Sequence, residues 1–491
     1  LPEIRFRTRE IALSGRLRTA DDPATIGPND LAICKNMRPW DQYPRGIGGM
    51  TKINTSVSPS LPIKNGIHFT KAQPAESHVV IAGVDGKLYN NDAVIPAQGN
   101  FGATAIFTPS AGYQSPQLAI APEGALAFCN GVDSVIYGGT EFRCAGFMDS
   151  PTTVIIYDYS DDVRTADTGT KATIHTTGSG PWIATFYVGS IMPISAFKLY
   201  MLAANTKTST MAVKYYDGDT WEAVSTLSDG TASGGISLAQ VGTVSFDSTA
   251  AIAKIYNLNG VVLYWYQVTV TAAGADFNAI PTIYYVTTSV PAQQIKDIWD
   301  GESRPAYSAL IYFSSSDIRD NTTNVSEDTF LYADPSTYLS GNAVNSSSRY
   351  LMFGFSEHIA GLILTMGDSY INVAASVVTI EYWNGAAWVA VTGLVDKTLN
   401  DAGTVSLSRS GTMSWTYPGD GVEHINMYPF PSHNTTNEIN NLYYYRLSFS
   451  SGISSTTSIS YVRGIPAQKT IKGYSFPLEH QGRTVLCDEY H

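Results

Sequence analysis

Apolar and polar residues alternate along much of this chain with a period of two, and the alternation breaks repeatedly at Gly, Asn and Asp. The clearest runs are "LYWYQVTV" (263–270) and "LYYYRLSF" (442–449), each read as a strand with one face in a core and the other in water. No long 3.6-residue pattern is present, so the elements expected are strands joined by tight turns.

Two repeats order these strands. "IAGVDGKLYNN" (81–91) returns 48 residues later as "CNGVDSVIYGG" (129–139), matching Gly83, Val84, Asp85 and Tyr89 with Gly131, Val132, Asp133 and Tyr137. Each copy predicts a hairpin turning at Val-Asp-Gly or Val-Asp-Ser, and a period in the forties is the size of one β-propeller blade. The second repeat is longer. "VKYYDGDTWEAVSTLSDGT" (213–231) matches "IEYWNGAAWVAVTGLVDKT" (380–398), and "GTVSF" (242–246) matches "GTMSW" (411–415). Each long copy predicts an antiparallel β-sandwich.

The expected architecture is all-β: propeller-like blades, two inserted sandwiches and an extended N-terminal arm. The divisions are an arm at 1–60, blades at 61–150, a first sandwich at 151–290, a connector at 291–348, a second sandwich at 349–465 and a return strand at 466–491. A closed propeller needs at least four blades, and the repeats supply two and a start. The remainder comes either from divergent parts of this chain or from a neighbour. Residues 14–54 are dense in Pro, Gly, Asp, Asn and Arg yet keep Leu31, Trp40 and other buried-type side chains. Such a segment gains stability by lying in a groove, on a neighbouring subunit or on the chain's own propeller.

Composition narrows the function. Of 491 residues, 44% are hydrophobic and only 15% charged, with 30 Tyr, which suits β-sheet surfaces. The net charge of −12 argues against a tight grip on nucleic acid, though it allows DNA to pass an acidic wall. Cys34, Cys129, Cys144 and Cys487 lack metal-ligand spacing and read as free thiols. No signal peptide is visible, and no apolar run approaches the ~20 residues that span a bilayer.

Candidate chemistry is sparse. There is no Gly-x-Ser-x-Gly elbow, His-Glu-x-x-His helix or phosphate-cradling loop. "DYSDD" (158–162) and "DGD" (217–219) read as turns before calcium loops, since Asp219 falls opposite Ala386 in the second copy. Trp221 and Trp388 hold the same place in both sandwiches, read as core, with sugar stacking as the alternative. The expectation is a protein without catalytic, metal or cofactor residues.

The opening pattern resembles the start of tail nozzle and other tail-tube-end proteins of tailed bacteriophages, in which such an arm precedes a β-propeller. Leu17, Thr19, Asp22, Pro23, Asn36, Arg38, Arg45 and Gly46 carry the resemblance. "Tyr-Trp-Asn-Gly-x-x-Trp" (382–388) is similar to sandwich modules of phage tail proteins. The resemblance implies a homo-oligomeric ring, commonly a hexamer, at the end of a virion tail assembled in the host bacterial cytoplasm. Its partners would be adaptor and fibre proteins, with phage DNA in transit. On this reading Leu17, Pro23, Leu31, Arg38, Trp40 and Arg45 serve assembly. Two alternatives stand beside it: a receptor-binding tail protein gripping glycans, with Trp383 as a contact, and a propeller glycosidase or depolymerase.

Overall fold

The computed structural model describes residues 37–40, 43–46, 63–72, 75–90, 101, 104–121, 124–150, 155–175, 182–272, 280–296, 303–314, 317–320, 339–340, 349–367, 370–419, 421–426, 441–454, 456–481 and 483–487. The fold is all-β, and no α-helix occurs among the described residues.

The short repeat folds as its turn chemistry requires. Ala75–Gly83 and Leu88–Asn90 form a hairpin with Ile81 opposite Tyr89, and Ile63–Ala72 adds a third strand. Gly86 sits at φ 73°, a left-handed turn position that glycine reaches without strain. In the second copy Ala125–Cys129 and Ser134–Tyr137 pair with Leu126 opposite Tyr137, and Gln117–Ala121 lies outside them. The fourth strand of this sheet, Gln293–Gln294, arrives only after the first sandwich is complete. The sheets share a buried cluster in which Val80, Ala82 and Leu88 meet Leu126, Phe128 and Val135.

The chain then leaves for the second sandwich and returns to the same spot. The amide of Ile471 donates to the carbonyl of Ile295, and that of Gly473 to Val132. A last hairpin, Phe476–His480 with Arg483–Cys487, packs beside Gln117–Ala121 and Ala125–Cys129. The segment expected as a return strand is thus a two-stranded hairpin. Two small sheets and this hairpin are fewer than the four blades of a closed propeller, among the described residues.

Both sandwiches have one topology. In the first, one sheet runs Gly146–Asp149, Ile183–Ser190, Val261–Ala272, Ser209–Tyr216, Trp221–Ala223, and the other Thr282–Val290, Ala196–Ala203, Gly242–Ser245, Ser228–Asp229. In the second the same orders appear as Ser308–Ser314, Tyr350–Phe355, Tyr443–Phe449, Val378–Trp383, Trp388–Ala390 and as Ser458–Pro466, Ile359–Met366, Gly411–Thr416, Thr392–Asp396. Phe186, Phe197 and Val268 fill the first core, and Phe353, Leu362 and Leu447 the second. Burying each such side chain stabilises by ~1.5–3 kcal/mol, so the cores outweigh the turns.

The recurring Asp-x-Thr has a structural cause. The amide and hydroxyl of Thr231 both donate to Asp229 Oδ1, while Thr231 Oγ1 accepts the amide of Leu238, held at φ 60°. Asp396, Thr398 and Leu407, again at φ 60°, repeat this clip. Asn205 and Asn372, both buried, brace the same loop in each copy.

Two expectations meet differences. Gly139–Arg143 and Gly146–Asp149, placed in the blade region by sequence, pair within the first sandwich, and Arg304–Pro305 and Ser308–Ser314, placed in the connector, pair within the second. These strands lie outside the repeated segment, which left them unassigned. The expected wet face of 263–270 is also covered near its start: Val262 through Tyr266 are all buried. The Tyr256–Leu258 strand and Trp221 cover the outer face, and Val262 packs on Ile465 of the second sandwich.

Asp133 separates the two hairpin copies energetically. It is 1% exposed and accepts hydrogen bonds from the Ser110 amide (2.8 Å), the Ser110 hydroxyl (2.7 Å), Asn130 Nδ2 (3.0 Å) and Gln294 Nε2 (2.7 Å). Burial raises its pKa, but the hydrogen bonds from Asn130, Ser110 and Gln294 outweigh that and leave it lowered. Asp85, its counterpart, accepts only longer bonds from the Lys87 amide (3.3 Å) and Tyr89 hydroxyl (3.2 Å), with Lys87 Nζ at 3.6 Å. Asp133→Ala should therefore cost roughly 3 kcal/mol in urea unfolding, and Asp85→Ala less than about 1 kcal/mol. Equal costs would contradict this division.

Candidate functional site

Of the residues proposed for assembly, Leu17, Pro23 and Leu31 lie outside the described residues. Arg38, Trp40 and Arg45 lie on a hairpin of Met37–Trp40 and Tyr43–Gly46, whose register sets Arg38 opposite Arg45 and Trp40 opposite Tyr43. The sequence did not assign this hairpin.

Trp383 ends the Val378–Trp383 strand and faces Trp388 across the ladder, with ring centroids 5.6 Å apart. Between them an Asn-Gly turn is closed by Asn384 Oδ1, which accepts the amides of Ala386 and Ala387, with Gly385 at φ 90°. The Arg446 guanidinium lies 4.9 Å from the Trp388 ring and 4.5 Å from that of Tyr350, and its Nε and Nη2 donate to Glu381 Oε2 at 2.7 Å. Both tryptophans are half-buried. They sit in neither the inter-sheet core nor open solvent, and form a platform on the outer face of the sheet. Trp221 occupies the equivalent place in the first sandwich but is hemmed in by Tyr187, Tyr216 and Tyr256. The repeat equates these tryptophans, but Tyr187 and Tyr256, which close off Trp221, come from outside it.

The Asp-rich turns are closed by their own backbone. Asp217 Oδ1 accepts the amides of Asp219 and Thr220, and Asp158 Oδ1 accepts those of the Ser160 amide and hydroxyl. No group of three or more His, Cys, Asp or Glu that could hold a metal occurs among the described residues. Cys129, Cys144 and Cys487 are free, and burial pushes the Cys144 thiol up to about 12 and the Cys129 thiol up to about 11. Neither of these two buried thiols is a thiolate nucleophile at neutral pH.

The two sandwiches enclose a cleft of about 490 Å³, continuous with a second of about 870 Å³ through shared Tyr216, Asp219, Tyr256, Asn257 and Thr412. An ion pair from Lys397 to Asp219, and Ser414 Oγ donating to the Gly218 carbonyl at 3.5 Å, tie its two walls together. Sequence reasoning missed the cleft because its residues come from both copies and from the strand crossing between them.

One buried acid carries a pH signal. Asp149 has no exposed side-chain surface and contacts the half-exposed His175, with Nδ1 at 2.6 Å from its Oδ2, which also accepts the His175 amide at 3.1 Å. The imidazole stacks on Tyr157, with ring centroids 4.7 Å apart. The pair therefore reads as a brace between strand and loop.

No family model matches the chain, and no curated protein matches it. A search of solved structures finds the CBM32-1 and CBM32-2 domains of Clostridium perfringens ZmpB, 8% identical over 67% of this chain and 92% of that one, at a TM-score of 0.20. At that level of superposition the likeness says nothing about what this chain does.

Burial pushes the Asp149 carboxyl from 3.8 up to about 6, with the His175 ring and amide drawing it partway back. An acid with a raised folded-state pKa stabilises fully below its unfolded pKa and loses that contribution as pH rises through the folded value. The unfolding free energy of the wild type relative to Asp149→Asn, read from urea titrations, should thus fall between pH ~4 and ~7, by up to roughly 3 kcal/mol, and be flat above. Parallel profiles would contradict the shift.

Proposed function

We propose that this chain is a structural subunit of a bacteriophage tail, one protomer of a homo-oligomeric ring through which the genome leaves. The observation that carries this reading is an apolar face at one end of the stacked small sheets. Phe476, Leu478 and Val485 are 38%, 46% and 40% exposed, and the register that sets Leu478 opposite Val485 puts all three on one face of the last hairpin. Ile63, Val84 and Ile120, on the other small sheets, are also exposed. A protomer presenting apolar surface at separated parts of one stack suits head-to-tail contacts, which close into a ring.

The resemblance of the arm to the start of tail nozzle proteins supports the same reading. Paired sandwiches braced by an ion pair and by Val262 against Ile465 suit a rigid load-carrying part. The resemblance to tail nozzle proteins supplies the hexamer, the adaptor and fibre partners and the place in the virion tail.

A second reading, glycan adhesion, is favoured by the Trp383–Trp388 platform alone.

Leu478→Asp with Val485→Asp should leave a folded protomer and abolish rings in negative-stain images and mass photometry, whereas wild type assembles. Rings that survive the double substitution, or a wild type that stays monomeric at micromolar concentration, would contradict the proposal. On a glycan array, Trp383→Ala should leave any signal of the 303–466 region unchanged if the platform is structural, and abolish it if the platform binds sugar.

A further inference from the structure

We infer that the cleft between the sandwiches is a binding site for an acidic saccharide, whose carboxylate or sulfate lies with Lys254 and Lys296 and whose ring lies against Tyr256 and Tyr417. A ligand site here goes beyond ring assembly, because the cleft is built from the sandwiches and the segments that root them, and not from the apolar face of the last hairpin.

The lining of the two joined clefts carries four carboxylates, Asp217, Asp219, Asp396 and Asp401, and four cations, Lys254, Lys296, Lys397 and Arg409, but they are not all paired with one another. Lys397 is paired with Asp219, and Arg409 with Asp401 at 3.0 Å. Asp217 is spent on its own turn, and Asp396 on Thr398 and the Ser406 hydroxyl. Lys254 and Lys296 line the cleft with no carboxylate partner among the described residues. Lys296 is the more enclosed, its ammonium lying 5.9 Å from the centre of the buried Tyr264 ring. Burial, and then Lys254, lower its pKa below that of an ordinary lysine. A half-buried ammonium facing a second cation is a costly arrangement that an anion would relieve.

The walls also match a sugar. Tyr256 of the first sandwich, edge-on to Tyr216 and Trp221, and Tyr417 of the second, with Lys469 Nζ 5.5 Å and the His358 ring 5.2 Å from its centre, are both half-buried and line the cleft. Asn257 and Trp415, also in the lining, carry buried polar atoms, Oδ1 and Nε1, with no hydrogen-bond partner among the described residues. Trp415 is only 6% exposed. At about 490 Å³ the cleft falls within the size range of small-ligand sites.

The test is isothermal titration of the full chain with trigalacturonate, sialyllactose and a sulfated heparin tetrasaccharide, each beside a neutral oligosaccharide of matched length. At least one acidic saccharide should bind about 10-fold or more tightly than its neutral counterpart, and Lys296→Met should remove that margin. Lys254→Met should weaken it less. Because Met relieves the buried charge, Lys296→Met should melt a few degrees higher than wild type, by roughly 2–4 °C. Should that variant fail to fold, the exposed Lys254→Met carries the comparison. Trp383→Ala should leave binding intact, which separates this site from the outer platform. The assignment is overturned if no acidic saccharide outbinds its counterpart, if Lys296→Met binds like wild type, or if inorganic phosphate binds as tightly as the best saccharide.

Discussion

The whole chain depends on a braid of three short segments. Residues 131–134, 293–296 and 470–474 are far apart in sequence, yet they bond side by side through Ile295 to Ser134, Ile471 to Ile295, Gly473 to Val132 and Gly131 to Tyr474. Asp133 sits in this braid and accepts from Gln294, so a buried carboxylate locks the middle segment in register. Each sandwich is a loop leaving this braid and returning to it. Closing loops of such length costs entropy that grows only slowly with length, so a few well-satisfied hydrogen bonds and two large apolar cores offset it.

From that geometry the rest follows. Two sandwiches rooted at one point are forced alongside each other, which brings Val262 against Ile465 and encloses the cleft. The copies have diverged where they meet: Asp219 pairs with Lys397 of the other sandwich, while its equivalent Ala386 faces solvent. The same root seats one small sheet against the first sandwich, whose core takes in Ala121, Ala125 and Ala127, and leaves Leu478 and Val485 of the last hairpin exposed. On the proposed function, paired modules beside an exposed apolar face suit a ring subunit, and the cleft would be a second surface of it.

Much of the fold was legible in the sequence because both repeats record local chemistry. Asp-Gly and Asn-Gly turns, the Asp-x-Thr clip and alternating strands are decided within a dozen residues, and Asp229, Thr231, Asp396 and Thr398 take the same roles in both copies. Non-local partners were not legible. Nothing in "GFMD" (146–149) or "SALIYFS" (308–314) announces that it edges a sandwich, since its pairing is decided by strands at 183–190 and 350–355. The cleft was invisible for the same reason: Lys254, Lys296 and Tyr417 are scattered in sequence and meet only because the braid brings their elements together.

Hydrogen exchange followed by mass spectrometry tests the braid most directly. Amides of Ile295, Ile471 and Gly473 should exchange only with global opening, as slowly as those of the core strand 261–272. Fast exchange of these three while both sandwich cores stay protected would mean that the modules are tethered independently, and that no common root holds them.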